Sequence, residues 1–271
     1  MQLRGTTVLV TGASYGIGAA LARSVAQRGA TCVVLMARSA DALGHVAETV
    51  TAMGARALPL AVDLTDDAAL ASAVHTLLAE TGVPDVVISN AGSGRWLAID
   101  ETEPAEARAM MAMPYFAAFT LTRLLIGPLL ARGAGHLVYV NSPAALLPWP
   151  GACAYSAARW ALRGFAEALR ADLHGTPIMV STVVLGMVES QYFAHNPGVA
   201  ERIPRLARRV LPPLSTDQAA AAILDGIERR RRLIIAPAAL RGLFWLHAVT
   251  PWLVRRLTLA GGWRRGVSGE P

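Results

Sequence analysis

The alternation of short apolar runs with longer helical patterns constrains the fold of this chain more than any other feature. Runs typical of strands cover residues 6–10, 31–37, 57–62, 85–89, 135–141, 178–185 and 233–236. Helical periodicity fills the intervals, over residues 16–28, 40–53, 66–80, 104–113, 115–132, 154–173 and 215–232. Strands that alternate with helices form parallel sheets joined by crossover helices. The sequence therefore predicts an α/β fold, a doubly wound parallel sheet with helices on both faces.

Length and composition predict one folded domain followed by a tail. With 271 residues, 54% of them hydrophobic, the chain can bury one large core. We assign residues 1–236 to this domain, including a basic segment with several prolines at about 191–214 that we interpret as a helical lid. Residues 237–271 form an apolar, basic C-terminal tail. Its longest uncharged stretch, 242–254, is shorter than the ~20 residues that span a bilayer.

The positive charge is concentrated towards the C-terminus. The net charge is +6, all 25 basic residues are arginine, and nine of them lie between Arg229 and Gly269 without an acidic residue. The preceding chain is mildly acidic, and the basic tail, which is rich in leucine and tryptophan, contains no recognisable nucleic-acid-binding module. We therefore expect no nucleic-acid partner, and we expect the tail to contact a membrane surface or an acidic partner. The alternative is that these arginines lie on a solvated helix face.

The N-terminus and the cysteines bear on the cellular compartment. The residues after Met1 enter the first predicted strand without the apolar region of a secretory signal. Cys32 and Cys153 are far apart in the sequence, so we expect neither a disulfide framework nor a metal site. These features predict a cytoplasmic protein, which would be peripheral at the membrane surface if the tail binds there.

A glycine-rich segment connects the first predicted strand to the first predicted helix. Its candidate cofactor-binding residues are Gly12, Ser14, Tyr15, Gly16, Ile17 and Gly18. Glycines let the backbone turn sharply and approach a pyrophosphate, which the free N–H groups of a helix N-terminus bind. Because the segment lies between a strand and a helix, it predicts a Rossmann-like dinucleotide site.

Several further motifs resemble the classical short-chain dehydrogenase/reductase family over roughly residues 5–190. The TGxxxGxG spacing of the glycine segment is the family's glycine motif, and Ser142 and Tyr155 have the spacing of its catalytic serine and tyrosine. Asn90-Ala91-Gly92 resembles its NAG motif, which lines the adenine ribose. The resemblance also implies adenine contacts at Asp63 and Leu64, and nicotinamide contacts at Val188 and Ser190.

This resemblance implies an oxidoreductase that interconverts a carbonyl and an alcohol, with NADP(H) carrying the hydride. Ser142 would orient the substrate oxygen, and Tyr155 would be the general acid in reduction and the general base in oxidation. A phenol with an ordinary pKa near ~10 is a poor base at neutral pH unless a neighbouring cation stabilises its phenolate. In the family, a lysine four residues after the tyrosine supplies this cation and binds the nicotinamide ribose.

Three positions depart from the family pattern. Arg159 replaces the lysine, Pro114 occupies the position of an asparagine that holds a relay water, and Leu185 precedes Gly186 where the family has proline. Arg159 lies one helical turn after Tyr155, so its charge can act on the phenol, but arginine is bulkier and is not deprotonated. We interpret the chain as an enzyme with an altered proton relay. The alternatives are simple drift to arginine in a chain without lysine, and a cofactor-binding sensor or scaffold with little catalysis.

Arg38 determines the predicted cofactor. The second predicted strand ends at Ala37-Arg38-Ser39, and no acidic side chain follows before Asp41. An acidic residue at this position binds the ribose hydroxyl of NAD, whereas arginine suits the 2′-phosphate of NADP. The sequence therefore favours NADP(H), with a solvated loop arginine as the alternative.

Aromatic side chains indicate an apolar small-molecule substrate. The residues expected at the mouth of its pocket are Trp96, Trp149, Tyr192 and Phe193. Candidates for contact with an acidic group on the substrate are the lid arginines Arg202, Arg205, Arg208 and Arg209, with a solvated lid helix as the alternative. The family resemblance also implies a homo-oligomer.

Overall fold

A parallel sheet organises the molecule, which a computed structural model describes over residues 1–92, 94–147, 149–196, 198–203 and 212–264. The strands are β1 (Thr7–Thr11), β2 (Cys32–Ala37), β3 (Arg56–Ala61), β4 (Val86–Ser89), β5 (Gly135–Asn141), β6 (Ile178–Leu185), β7 (Val188–Glu189), β8 (Leu214–Ser215) and β9 (Leu233–Ala236). Seven of them form one sheet in the order β3-β2-β1-β4-β5-β6-β9, with every pairing parallel. The predicted doubly wound, Rossmann-like fold is confirmed.

Helices cover both faces of this sheet. They are α1 (Gly16–Gln27), α2 (Ala40–Ala52), α3 (Asp67–Thr81), α4 (Pro104–Met111), α5 (Ala117–Arg132), α6 (Cys153–Asp172), α7 (Tyr192–His195), α8 (Val199–Arg202), α9 (Thr216–Glu228), α10 (Ala239–Val249) and α11 (Pro251–Gly261). On one face, α1, α2 and α9 pack against alternate strand residues such as Val8 and Val10. On the other face, α3, α5 and α6 pack against the strand residues that point to the opposite side, such as Leu9. The central strands are mostly apolar because neither face meets water.

The helical region before β5 differs from the prediction of two helices separated at Pro114. Instead, α4 continues through a π-helical turn, Ala112–Phe116, directly into α5. Proline has no N–H, and its ring clashes with the carbonyl four residues earlier in an ordinary α-helix. The wider π turn accommodates the buried Pro114 without ending the helix.

By length and composition, the combined run Pro104–Arg132 could cross a membrane, since an 18-residue window within it has a mean hydropathy of 1.4. The side chains of Leu121, Leu125 and Leu129 on this run are buried against the sheet. We therefore interpret it as a core helix of the α/β fold.

The segment predicted as a helical lid contains α7 and α8, and it ends in β8. That strand pairs in parallel with β7 to form a ribbon that was not predicted. Strands of two residues are too short to show alternation, so the sequence carries no signal for them. Residues 204–211, including Arg205, Arg208 and Arg209, lie outside the described residues, as do residues 93, 148, 197 and 265–271.

Candidate active site

A cleft of about 1030 Å³ opens at the carboxyl ends of the central strands. This is the edge where α/β sheets bind their ligands. Among the predicted site residues, those that line the cleft are Gly12, Ser14, Tyr15, Gly16, Ile17, Arg38, Leu64, Asn90, Ala91, Gly92, Ser142, Tyr155, Arg159, Val188 and Ser190. Gly18 and Asp63 do not line it. The fold thus brings fifteen of the seventeen predicted residues together around one cavity.

The glycines of the turn between β1 and α1 have distinct geometric roles. Gly12 and Gly16 have φ values of 66° and 55°, in the left-handed region that favours glycine. A Cβ added at Gly12 would lie 2.9 Å from Cα of Ala91. A Cβ at Gly18 would lie 2.0 Å from the carbonyl oxygen of Gly12. Gly18 therefore lets α1 pack closely on the turn, which explains why it does not reach the cleft.

The NAG segment is tied to this turn by hydrogen bonds. The Thr11 hydroxyl accepts bonds from the backbone N–H groups of Asn90 and Ala91, both at 3.0 Å. The Asn90 side chain donates to the carbonyl oxygen of Thr11, also at 3.0 Å. These bonds fix the ends of β1 and β4 relative to each other, and with them one wall of the cleft.

Arg38 and Ser39 follow β2 at one end of the cleft. Ser39 also caps α2 by accepting a bond from the N–H of Ala42 at 3.3 Å. The exposed Asp63 accepts bonds from the backbone and hydroxyl of Thr65, and these two bonds, with a smaller effect of Arg38, lower the pKa of its carboxyl group. Asp63 is thus held ionised just outside the cleft, within electrostatic reach of Arg38.

Tyr155 and Arg159 lie in the middle of the cleft, on one face of α6. Both residues are buried, and the guanidinium carbon of Arg159 lies 4.9 Å from the centroid of the Tyr155 ring. The Arg159 side chain also lies against Gly92, because a Cβ added there would be 2.9 Å from Nη2. The sequence spacing therefore predicted this juxtaposition correctly, and the NAG glycine provides the space for the larger guanidinium.

Ser142 is held by a neighbouring residue that the sequence analysis missed. The buried Asn141 accepts a bond from the N–H of Ser142 at 2.9 Å and donates to the carbonyl oxygen of Arg159 at 3.0 Å. The Ser142 hydroxyl accepts a bond from the N–H of Ala144 at 3.3 Å, so its own proton remains available to a substrate oxygen. The sequence signal that could have identified Asn141 is an amide side chain at the end of an otherwise apolar predicted strand.

Beyond Tyr155 the cleft becomes apolar. The predicted aromatic residues all line it, namely Trp96, Trp149, Tyr192 and Phe193. The Tyr192 hydroxyl donates to the carbonyl oxygen of Gly94 at 2.6 Å, which links α7 to the loop after β4. Burial, with a contribution from Tyr155, raises the pKa of Tyr192, so this second phenol stays protonated.

The C-terminal helices complete the apolar wall, which the sequence analysis did not anticipate. Their contributions to the cleft include Leu240, Leu243, Leu246, Val254 and Leu257. The three-residue spacings of these side chains within each helix signal a helix with a buried face. Arg202, a candidate for substrate contact, is instead paired with Glu101 at 2.7 Å and lies over the Trp263 ring.

The cleft fits a dinucleotide. Side chains at Gly12 and Gly16 would narrow the turn, since a Cβ at Gly16 would contact Ser190 at 3.4 Å. The Tyr15 side chain makes no capping bond at the start of α1, which leaves the first-turn N–H groups to bind a phosphate. The buried Nε of Arg159 has no partner among the described residues, so it can donate to a ribose hydroxyl.

Comparisons with known proteins agree with this geometry. A family model for short chain dehydrogenases matches residues 6–197. The 1-deoxy-11-beta-hydroxypentalenate dehydrogenase of Streptomyces avermitilis is 35% identical over 193 residues, which cover 70% of this chain and 71% of that protein.

Solved structures are also similar. A metagenomic short-chain oxidoreductase in complex with NADP is 31% identical, with a TM-score of 0.68 over 83% of this chain and 90% of its own. A short-chain dehydrogenase/reductase from Burkholderia phymatum in complex with NAD is 22% identical, with a TM-score of 0.82 over 94% of this chain and 97% of its own. Because the family model matches well over half of its length, this chain belongs to the short-chain dehydrogenase family of oxidoreductases.

Proposed function

We propose that the protein is an NADP(H)-dependent oxidoreductase that interconverts a carbonyl and an alcohol on an apolar small molecule. The observation that carries the proposal is a single cleft that runs from the glycine turn past Tyr155 and Arg159 to an apolar end. The hydroxypentalenate dehydrogenase, named for a hydroxy compound, supports an alcohol or its carbonyl as the reacting group.

In this mechanism the nicotinamide ring, when bound, donates or accepts the hydride. Ser142 donates its free hydroxyl proton to the substrate oxygen and holds that oxygen near Tyr155. The Tyr155 hydroxyl gives its proton to the oxygen in reduction and takes it back in oxidation. Arg159 stabilises the phenolate by its charge and, because guanidinium does not lose a proton, holds the ribose without passing protons on. The proton relay is thereby altered relative to the family, and Pro114 offers no side-chain donor or acceptor to it.

Two observations support NADP(H) over NAD(H). Arg38 lines the cleft at the end of β2, where a 2′-phosphate would lie. The 31% identical neighbour was solved with NADP, whereas the neighbour solved with NAD is more distant in sequence. The ionised Asp63 lies nearby, but its carboxylate is exposed. Because water screens its interaction with Arg38, it does not cancel the positive charge of that residue.

A second candidate function is cofactor binding with little catalysis, as a sensor or scaffold. Arg159 in place of lysine and the buried Pro114 favour it. The available Ser142 proton and its support by Asn141 favour the enzyme.

Fluorescence titration with NADPH and NADH, followed by a screen of apolar ketones for NADPH oxidation, tests the proposal. We expect NADPH to bind at least about tenfold more tightly, a difference of about 1.4 kcal/mol. Tyr155→Phe should abolish turnover and leave NADPH binding nearly unchanged, and Arg38→Asp should reverse the nucleotide preference. Nucleotide binding without turnover of any ketone or alcohol would establish the second candidate.

We also propose that the chain forms a homo-oligomer through the outer face of α5 and α6. Phe119 of α5 and Trp160 of α6 are exposed, as is Phe116 in the preceding π-helical turn, although Phe119 packs on Phe165 with ring centroids 5.5 Å apart. A face of this kind is typical of a protein interface. Analytical ultracentrifugation of the wild type and of Phe119→Glu would detect the assembly and its loss.

A further inference from the structure

The C-terminal helices α10 and α11 carry exposed apolar side chains on their outer faces. Trp245 and Val249, four residues apart on α10, are 69% and 61% exposed. Trp252 and Leu259, seven residues apart on α11, are 66% and 55% exposed. These spacings place each pair on one face of its helix. Two exposed tryptophans on consecutive helices indicate an interaction surface.

Arginines surround these apolar side chains. Arg241 precedes Trp245 by one turn, and Arg255 and Arg256 follow Trp252 by one turn. These three residues and Arg264 are exposed, and none of them forms an ion pair within the described part of the chain. Between Arg229 and Arg264 the sequence has no acidic residue. The surface is therefore both apolar and strongly positive.

The inner faces of the same helices form a wall of the cleft. Leu240, Leu243 and Leu246 of α10 line it, as do Val254 and Leu257 of α11. Each helix thus has an apolar face in the cleft and an opposite face, with tryptophan and arginine side chains, in solvent. A partner bound to the outer face would be separated from the proposed substrate pocket by the thickness of one helix.

We propose that α10 and α11 dock the protein on the surface of an anionic lipid bilayer. Each helix has 11 residues, about 16 Å, which is too short for the ~30 Å hydrocarbon core, so the helices lie in the interface. Tryptophan suits this zone because its ring is apolar and its N–H is polar, and arginine binds lipid phosphates. A second copy of the chain fits the surface poorly, because the same unpaired arginines would meet each other.

Docking in this orientation turns the outer wall of the cleft towards the lipid. An apolar substrate dissolved in the bilayer would then enter between α7, α10 and α11 without crossing water. This route rests on the proposed function, whereas the docking does not. A protein that does not bind vesicles would therefore contradict the docking alone, and a protein that turns over no substrate would contradict the proposed function alone.

Co-sedimentation of the full chain with vesicles tests the docking. We expect binding to vesicles of phosphatidylcholine with phosphatidylglycerol, weak binding to phosphatidylcholine alone, and loss of binding at high salt. Arg255→Gln with Arg256→Gln should lower partitioning onto the anionic vesicles about thirtyfold. Trp245→Ser with Trp252→Ser should lower it about tenfold or more.

Matched variants elsewhere on the surface serve as controls. Arg4→Gln with Arg108→Gln removes the same charge, and Ile99→Ser removes an equally exposed apolar side chain. Both controls should bind vesicles like the wild type. Equal binding by all variants, or no binding to either vesicle, would overturn the proposal. Concentration-dependent self-association without lipid that the tryptophan variant abolishes would assign the surface to a second copy instead.

Discussion

Arg159 is the cation of the proposed active site. Its guanidinium lies over the Tyr155 ring and against Gly92, with Nε unpaired. The position supplies a permanent positive charge beside the phenol and a donor towards the ribose. It does not supply a group that can release a proton, whereas a lysine ammonium at this position could also exchange one.

Substitutions at Arg159 distinguish these tasks. Arg159→Lys should retain or raise turnover, because the ammonium keeps the charge and can exchange a proton. Arg159→Met should lower kcat by about tenfold or more and move the pH midpoint of alcohol oxidation upward, since the phenolate loses its cation. The measurement is the pH–rate profile of each variant at saturating NADP. Equal profiles for arginine and methionine would show that the charge plays no part.

At the scale of secondary-structure elements, the contact between α1 and the β1 turn has almost no free space. Gly18→Ala would place a Cβ 2.0 Å from the Gly12 carbonyl oxygen, which neither backbone can avoid without shifting. We expect the free energy of unfolding to fall by about 1–3 kcal/mol, and NADPH affinity to fall with it. Gly44→Ala in α2 is the matched control, because its Cβ meets no atom within 4 Å. The free energy of unfolding of this control, measured by urea unfolding, should rise by about 0.5–1 kcal/mol.

Asn141 joins β5 to α6 and holds the backbone of Ser142. Asn141→Ala removes both of its hydrogen bonds and should destabilise the fold by about 1–3 kcal/mol while also lowering kcat. Thr122→Val is the matched control, because it removes a buried hydrogen bond that does not border the cleft. This bond joins the hydroxyl groups of Thr122 and Tyr139 at 2.7 Å. That variant should lose similar stability with unchanged kcat. An Asn141 variant that loses stability but keeps the wild-type kcat would limit this residue to a structural role.

At the scale of the whole molecule, a buried histidine connects β5 and β6 to the residues before β9. Ser181 donates its single hydroxyl proton to the carbonyl oxygen of Arg231 at 2.6 Å, so it accepts from Nε2 of His136 at 2.7 Å. Nε2 of the ring therefore carries a proton. Burial, together with the charges of Arg230 and the N-terminus, lowers the pKa of His136 from 6.5 to about 4.

Stability should consequently depend on pH through His136. Between pH 6.5 and about 4 the unfolded chain binds a proton that the folded protein excludes, so stability is greatest above this window and falls with falling pH. The loss should be about 2 kcal/mol between about pH 7 and pH 5. Urea unfolding of His136→Gln, whose amide can still donate to Ser181, should lack this component. His45→Gln, at an exposed histidine, should retain it.

The sequence by itself determined the features that depend on neighbouring residues along the chain. Strand and helix alternation predicted the doubly wound sheet, because periodicity reports burial directly. The glycine turn and the spacing of Tyr155 and Arg159 predicted a shared cleft, since strand ends meet at one edge and residues four apart share a helix face. These inferences required no knowledge of distant contacts.

Only the tertiary structure decided the features that depend on which distant elements touch. Pro114 lies within a continuous helix because packing against the sheet outweighs the missing hydrogen bond, which no local pattern reports. Asn141 holds Ser142 through a carbonyl eighteen residues away. Leu240 and Val254 belong to the cleft, although the tail had suggested only an outer surface, because an amphipathic helix does not reveal from its sequence what its apolar face will cover.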